Sequence, residues 1–114
     1  MQHRDYMIIK KILAEINIGS NMVQNLELTE FLKDETIKRA VAMTVINIGE
    51  LVKNITEETK LKYSDVKWKA IAGMRDITAH KYQTLRMEDV YYTMKLDLME
   101  LEKQLNLILD KEKE

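Results

Sequence analysis

Apolar residues recur at three- and four-residue intervals along almost the whole chain, and that spacing predicts one helix after another. Ile8, Ile12 and Ile16, with Ile9 and Leu13 one step over, mark a first helix from about Arg4 to Ser20 or slightly beyond. Gly19-Ser20-Asn21 weakens its end, while Met22, Val23 and Leu26 would let it run on. Thr29 to Lys33 reads as a short helical turn. Asp34 is a candidate N-cap, with Glu35 favourable in the first turn, for a long second helix ending near Ile55. The centre of that helix, Ala40 to Ile48, is apolar on almost every side, which places it in the buried middle of the assembly. Gly49 lies inside it and costs about 1 kcal/mol against alanine, unless a near helix crossing offsets the loss. Thr56-Glu57-Glu58-Thr59 is a capping sequence for one or two further turns. Ser64 or Asp65 is expected to cap a third main helix through Trp68, Ile71, Ala72 and Met74 to about Ala79 or beyond. Gln83 to Arg86 reads as a loop. The stripe Val90, Met94, Leu98, Leu101, Leu105 and Ile108 then predicts a last helix from about Met87 to Asp110.

Four main helices with short connections imply an all-α fold: an antiparallel four-helix bundle with short extra helical turns, in one domain over residues 1–114. Composition agrees, since 46% hydrophobic residues fill a core, 32% charged residues cover it, and no proline interrupts a helix. The absence of cysteine excludes disulfides and thiolate zinc sites. Two histidines far apart in sequence leave no conventional metal site, so neither metal nor cofactor is expected. No run approaches the roughly 18 apolar residues needed to span a bilayer. The opening Met-Gln-His-Arg-Asp lacks the apolar core of a signal peptide. A cytoplasmic protein without membrane contact is the expectation.

The net charge of −1 conceals an asymmetry. Between Lys60 and Arg86, the bases Lys60, Lys62, Lys67, Lys69, Arg75, Lys81 and Arg86 face only Asp65 and Asp76, a local +5 that leaves −6 elsewhere. Such a field draws in a polyanion, although lysines on a solvated helix can also merely look clustered in sequence.

Chemistry concentrates inside that segment, in Gly73-Met-Arg-Asp-Ile-Thr-Ala-His-Lys-Tyr82. On a continuous helix Arg75 and Tyr82, seven apart, share a face. Asp76 and His80, four apart, come within reach of a carboxylate–imidazole hydrogen bond that would fix the ring's tautomer. Arg75 and His80 are five apart, about 140° around the helix. They converge on one phosphate only if the helix ends near His80 or if a second copy of the motif approaches. An imidazole with a reference pKa near 6.5 moves protons at neutral pH. A guanidinium offers a fork of donors matched to phosphate oxygens. RNA brings its own nucleophile, the 2′-hydroxyl, so two histidines from two protomers would suffice as acid and base. Lys81 and Lys69 would add charge for the RNA backbone. A surface Arg–Asp pair, a helix-end His and a half-buried Tyr are the plainer reading of the same residues. Glu50, on the otherwise apolar second helix, is a candidate to meet and orient Arg75. Asn47 and Asn54 continue its line toward solvent or a dimer seam. Of Tyr91 and Tyr92, at least one is expected in the core or an interface.

Arg75-x4-His80-x-Tyr82, with a polar residue directly after the Arg, resembles the signature of the HepT-like branch of HEPN ribonucleases. The resemblance covers nearly the whole chain. Ile48-Gly49-Glu50 matches that family's I-G-E element, and Trp68-x-x-Ile71-Ala72-Gly73 matches the stretch preceding the Arg. It implies an HEPN-like helical domain acting as a homodimeric toxin of a type VII-like toxin–antitoxin pair, an endoribonuclease that cuts RNA without metal in a cleft at the dimer interface. By the same resemblance, Arg75 would bind phosphate, Asp76 would orient the Arg or the His, and His80 would be the catalytic histidine. Tyr82 would be the tyrosine to which a partner minimal nucleotidyltransferase (an MntA-like antitoxin) adds AMP. Lys81 stands where the family often has glycine. The alternative is a non-catalytic nucleotide- or RNA-binding helical subunit of a nucleotidyltransferase complex.

Overall fold

Helices form close to where the apolar spacing places them, and a computed structural model describes residues 1–113 (for residue 77, the backbone only). In chain order they are α1 (His3–Val23), α2 (Leu28–Lys33), α3 (Glu35–Lys53), α4 (Glu57–Lys62) and α5 (Trp68–His80). A 3-10 turn, Tyr82–Thr84, leads to α6 (Met87–Tyr92), a π-helical segment Thr93–Asp97, and α7 (Leu98–Lys111). Among the described residues there is no strand. The fold is all-α, with more helical pieces than a strict four-helix bundle because the short connections and the last helix are themselves subdivided. No helix among these residues is long and apolar enough to cross a membrane.

Side-chain ties give the helix directions. Glu15 on α1 meets Asn47 on α3 (2.9 Å), while Asp5 meets Thr56 just beyond the end of α3, so the two helices run antiparallel. Ser20 meets Met99 and the amino group of Met1 meets Glu112, which makes α1 and α7 antiparallel as well. The isoleucine stripe of α1, Phe31 of α2, Val41, Val45, Ile48 and Val52 of α3, and the full predicted stripe of the last helix meet in one core. Tyr91 is buried and donates its hydroxyl to the carbonyl of Leu26, whereas Tyr92 is exposed. Asp34 caps α3 by accepting from Ile37 N at 3.0 Å, and Thr56 caps α4.

Packing sets the helix ends, and two features, the start of α5 and a π turn in the last helix, differ from the sequence expectation. α1 runs on through Gly19 to Val23, the extension that Met22 and Val23 allow, because Gly19 packs against Met94 and Thr44 instead of breaking the helix. α5 begins at Trp68, not at Ser64 or Asp65. Val66 and Trp68 are buried, and the Trp68 indole donates to the Tyr63 carbonyl at 3.0 Å, which holds the preceding segment in a turn. The last helix widens into a π turn at Thr93–Asp97. Its buried positions Val90, Met94 and Leu98 advance by two four-residue steps, overshooting two ideal turns by about 80°. The extra residue of the π turn absorbs that drift and keeps the stripe facing the core.

Asp5 is fully buried at the junction of α1 and α4, accepting from Thr59 Oγ1 at 2.6 Å, from Thr56 N at 3.2 Å and from Thr56 Oγ1. Burial pushes its carboxyl up, but the hydrogen bonds from Thr56 and Thr59, with Arg4 nearby, outweigh it and hold the group below its ordinary value of 3.8. Its contribution is therefore complete above that value and is lost as pH falls through the folded one. Asp5→Asn is expected to cost about 1–3 kcal/mol at neutral pH. In thermal unfolding against pH, the gap between the two proteins should narrow below about pH 4. A constant gap down to acid pH would show that the carboxylate's charge is immaterial.

Candidate functional site

The site begins with a close approach between two helices. A Cβ on Gly49 would lie 2.5 Å from Arg75 Cβ and 3.1 Å from Arg75 N, so only glycine lets α3 cross α5 at this point. The crossing anticipated from Gly49 is thus present, and it falls on the arginine of the motif. Glu50, the next residue of α3, brings Oε2 to 3.1 Å from Arg75 Nε, an ion pair without the alignment of a hydrogen bond. Arg75 Nη1 donates to Asp76 Oδ1 at 3.0 Å, and Lys53 Nζ donates to the same oxygen at 3.1 Å. Lys53 and Arg75 together hold the Asp76 carboxyl below the usual aspartate value. Of the guanidinium's donors, only Nη1 is hydrogen-bonded among the described residues; Nε is buried against Glu50, which leaves Nη2 for an incoming anion.

The expected Asp76–His80 hydrogen bond is not formed. Asp76 Oδ1 accepts from two cations instead, Arg75 beside it and Lys53 on α3. His80 is the exposed last residue of α5. α5 ends at His80 but still includes it, so the five-residue offset from Arg75 remains and leaves convergence to a second copy of the motif. The same helix end separates Arg75 from Tyr82: Lys81 leaves the helix (φ −122°, ψ 25°), and Tyr82 sits in the 3-10 turn, not on Arg75's helical face. There the half-buried Tyr82 ring lies 5.7 Å from the Arg39 guanidinium carbon. Lys81 is exposed, and so is Lys69, in the first turn of α5.

α3 is not buried on every side. Met43, Asn47, Glu50 and Asn54 form an exposed line along it. Asn47 bonds to Glu15, and Asn54 donates to the Glu50 carbonyl at 3.0 Å. Beside this line runs a shallow trough of about 420 Å³ between α1 and α3, with Lys11, Ala14, Asn47 and Glu50 on its walls. No group of three or more His, Cys, Asp or Glu among the described residues is arranged to hold a metal ion. The basic segment is partly neutralised, since Lys62 pairs with Glu112 at 2.6 Å and Arg86 with Glu88. Lys60, Lys67, Lys69 and Lys81 keep no carboxylate partner among the described residues. Sequence reasoning missed Lys53 and Arg39. Their signal was helical spacing on α3: Lys53 is four past Gly49, and Arg39 lies four before Met43.

Residues 6–108 match the Ribonuclease HepT-like family. The chain belongs to that family. Among its HepT-like relatives, a "Putative RNase" of Caldanaerobacter subterraneus subsp. tengcongensis is 38% identical over 105 residues, 92% of this chain and 94% of that protein. A "Putative RNase" of Methanocaldococcus jannaschii is 35% identical over 89 residues, 78% of this chain and 74% of that protein. A "Probable ribonuclease HepT" of Thermococcus cleftensis is 28% identical over 99 residues, 87% and 88% of the two chains. No solved structure matches the chain. Every residue of the site, from Arg39 to Tyr82, falls inside the part matched to the HepT-like family.

Proposed function

We propose that this HepT-like chain is a metal-independent endoribonuclease toxin that works as a homodimer in the cytoplasm. The observation supporting this most directly is the Gly49 crossing. It holds Arg75 against Glu50 and Asp76 with donors still unfilled, a little over one helical turn before an exposed His80. In the reaction, the RNA 2′-oxygen bonds to the adjacent phosphorus while His80 takes its proton. The bond from phosphorus to the 5′-oxygen breaks, and His80 of the partner subunit returns a proton to that oxygen. The products are a 2′,3′-cyclic phosphate and a 5′-hydroxyl. Arg75 stabilises the charge that builds on the non-bridging oxygens. Asp76 and Glu50 keep the guanidinium in place, and Lys81 and Lys69 hold flanking phosphates.

Two protomers are required because one chain offers a single His80 for two proton transfers. Ile18 and Met43, 51% and 56% exposed on neighbouring antiparallel helices, are apolar surface for that association. Neutralisation is read as addition of AMP to Tyr82 by a cognate minimal nucleotidyltransferase. The modification adds negative charge and bulk just past His80, repelling RNA.

Incubating the pure protein with total RNA, with and without EDTA, tests the reaction. New ends bearing 2′,3′-cyclic phosphate are expected at equal rates in both. Ends with a free 3′-hydroxyl, or activity lost in chelator, would overturn the mechanism. RNA bound but uncut would favour a non-catalytic RNA- or nucleotide-binding subunit.

A further inference from the structure

Of the three glycines, two are explained by packing and one is not. Gly49 admits Arg75, and Gly19 admits Met94, but a Cβ on Gly73 would meet nothing within 4 Å among the described residues. A glycine inside a helix is nevertheless less stable than alanine there. No packing contact among the described residues compensates for it.

Gly73 lies on a definite line. Lys69, Gly73, Asp76 and His80 follow one another at steps of four, three and four, so they share one face of α5. The three side chains on that line are exposed and Gly73 is half-exposed, which leaves bare backbone between a lysine and the histidine. At the Lys69 end, a groove of about 570 Å³ lies between α4 and α5, with Lys60, Lys67 and Lys69 on its walls against the single acid Glu57. Leu61, 70% exposed, adds an apolar surface to it. None of the three lysines has a carboxylate partner among the described residues, in contrast to Lys62, which Glu112 engages. Lys69 and His80 are eleven residues apart on one helix, a span of about 16 Å along its axis.

We propose that the groove and the strip over Gly73 form a binding track for the single RNA strand that flanks the cut linkage. Its phosphates lie on Lys60, Lys67 and Lys69, and a ribose or base passes against the bare backbone of Gly73. This rests on the ribonuclease reading for the nature of the ligand, and charge complementarity selects a polyanion over a second copy of the chain.

Binding of a fluorescent single-stranded RNA of about a dozen nucleotides to the uncleaving His80→Ala protein tests it. In that background, Lys60→Glu with Lys67→Glu is expected to weaken binding about tenfold. It should also flatten the slope of log K against log salt by about 1.4, the value for two phosphate contacts on a single strand. A control pair on exposed positions of α7, Lys103→Glu with Lys111→Glu, makes the same charge change and should leave binding unchanged. Gly73→Ala should raise the Tm by about 3–5 °C, through helix propensity without a clash, while weakening RNA binding several-fold. Unaltered binding in the groove pair overturns the track, as does equal weakening by the control pair. A groove pair that changes the oligomeric state and not RNA affinity assigns the surface to protein contact, and overturns it too. The two readings fail separately. Wild type that binds RNA through these residues without cutting it sinks the catalytic reading alone, and cleavage with unaffected binding in the groove pair sinks the track alone.

Discussion

His80→Ala protein should fold normally and lose RNA cleavage, with kcat lower by about 10²–10⁴-fold. On the proposed mechanism the loss is large because one substitution removes the proton acceptor from one protomer and the proton donor from its partner. Stability should stay within about 0.5 kcal/mol of wild type, since His80 is exposed at the end of α5 and makes no hydrogen bond among the described residues. Single-turnover cleavage of a labelled RNA, read beside thermal unfolding of the same samples, measures both quantities. A His80→Ala protein that still cuts at the wild-type rate would show that another group moves the protons. The imidazole's place in the site would then be structural.

Gly49→Val is expected to be the most damaging single change to the scaffold, costing about 3 kcal/mol and lowering cleavage with it. The first added carbon already lands 2.5 Å from Arg75 Cβ and 3.1 Å from Arg75 N, and backbone cannot swing aside as a side-chain tip can. α3 and α5 must separate, and Arg75 moves away from Glu50. Gly19→Ala is the informative comparison. It meets chiefly the flexible end of Met94, so the chain should accommodate it at a much smaller loss. Denaturant unfolding of the two variants, with cleavage assayed under native conditions, separates the effects. If Gly49→Val were as stable and active as wild type, the crossing would not be what positions the arginine.

Much of the architecture was legible because helix periodicity is a local property. The Ile8, Ile12 and Ile16 series, the Asp34 cap and the Val90-to-Ile108 stripe each depend on residues a few positions apart, and each is present in the structure. Gly49 and Glu50 were legible for a related reason: a glycine and a carboxylate inside an apolar helix both require a partner. The start of α5 was misplaced because Ser64 and Asp65 have good capping chemistry, but burial of Val66 and Trp68 and the indole bond to Tyr63 prevail over it. The Asp76–His80 bond was misjudged because spacing shows which side chains can meet, not which competing partners arrive from elsewhere. Lys53 comes from another helix and, with Arg75, bonds Oδ1 of that carboxylate.

By itself, the sequence determined the helical class, the identity of the core stripes and the motif Arg75-x4-His80-x-Tyr82, all of which are written in spacings of a few residues. Only the tertiary structure decided that Lys53 shares Asp76 with Arg75, that Arg39 covers Tyr82, and that a Cβ on Gly73, unlike one on Gly19 or Gly49, would meet none of the described residues. These juxtapositions join residues from different helices, or depend on what is missing nearby. Helix crossing geometry sets them, and no local pattern along the chain encodes it.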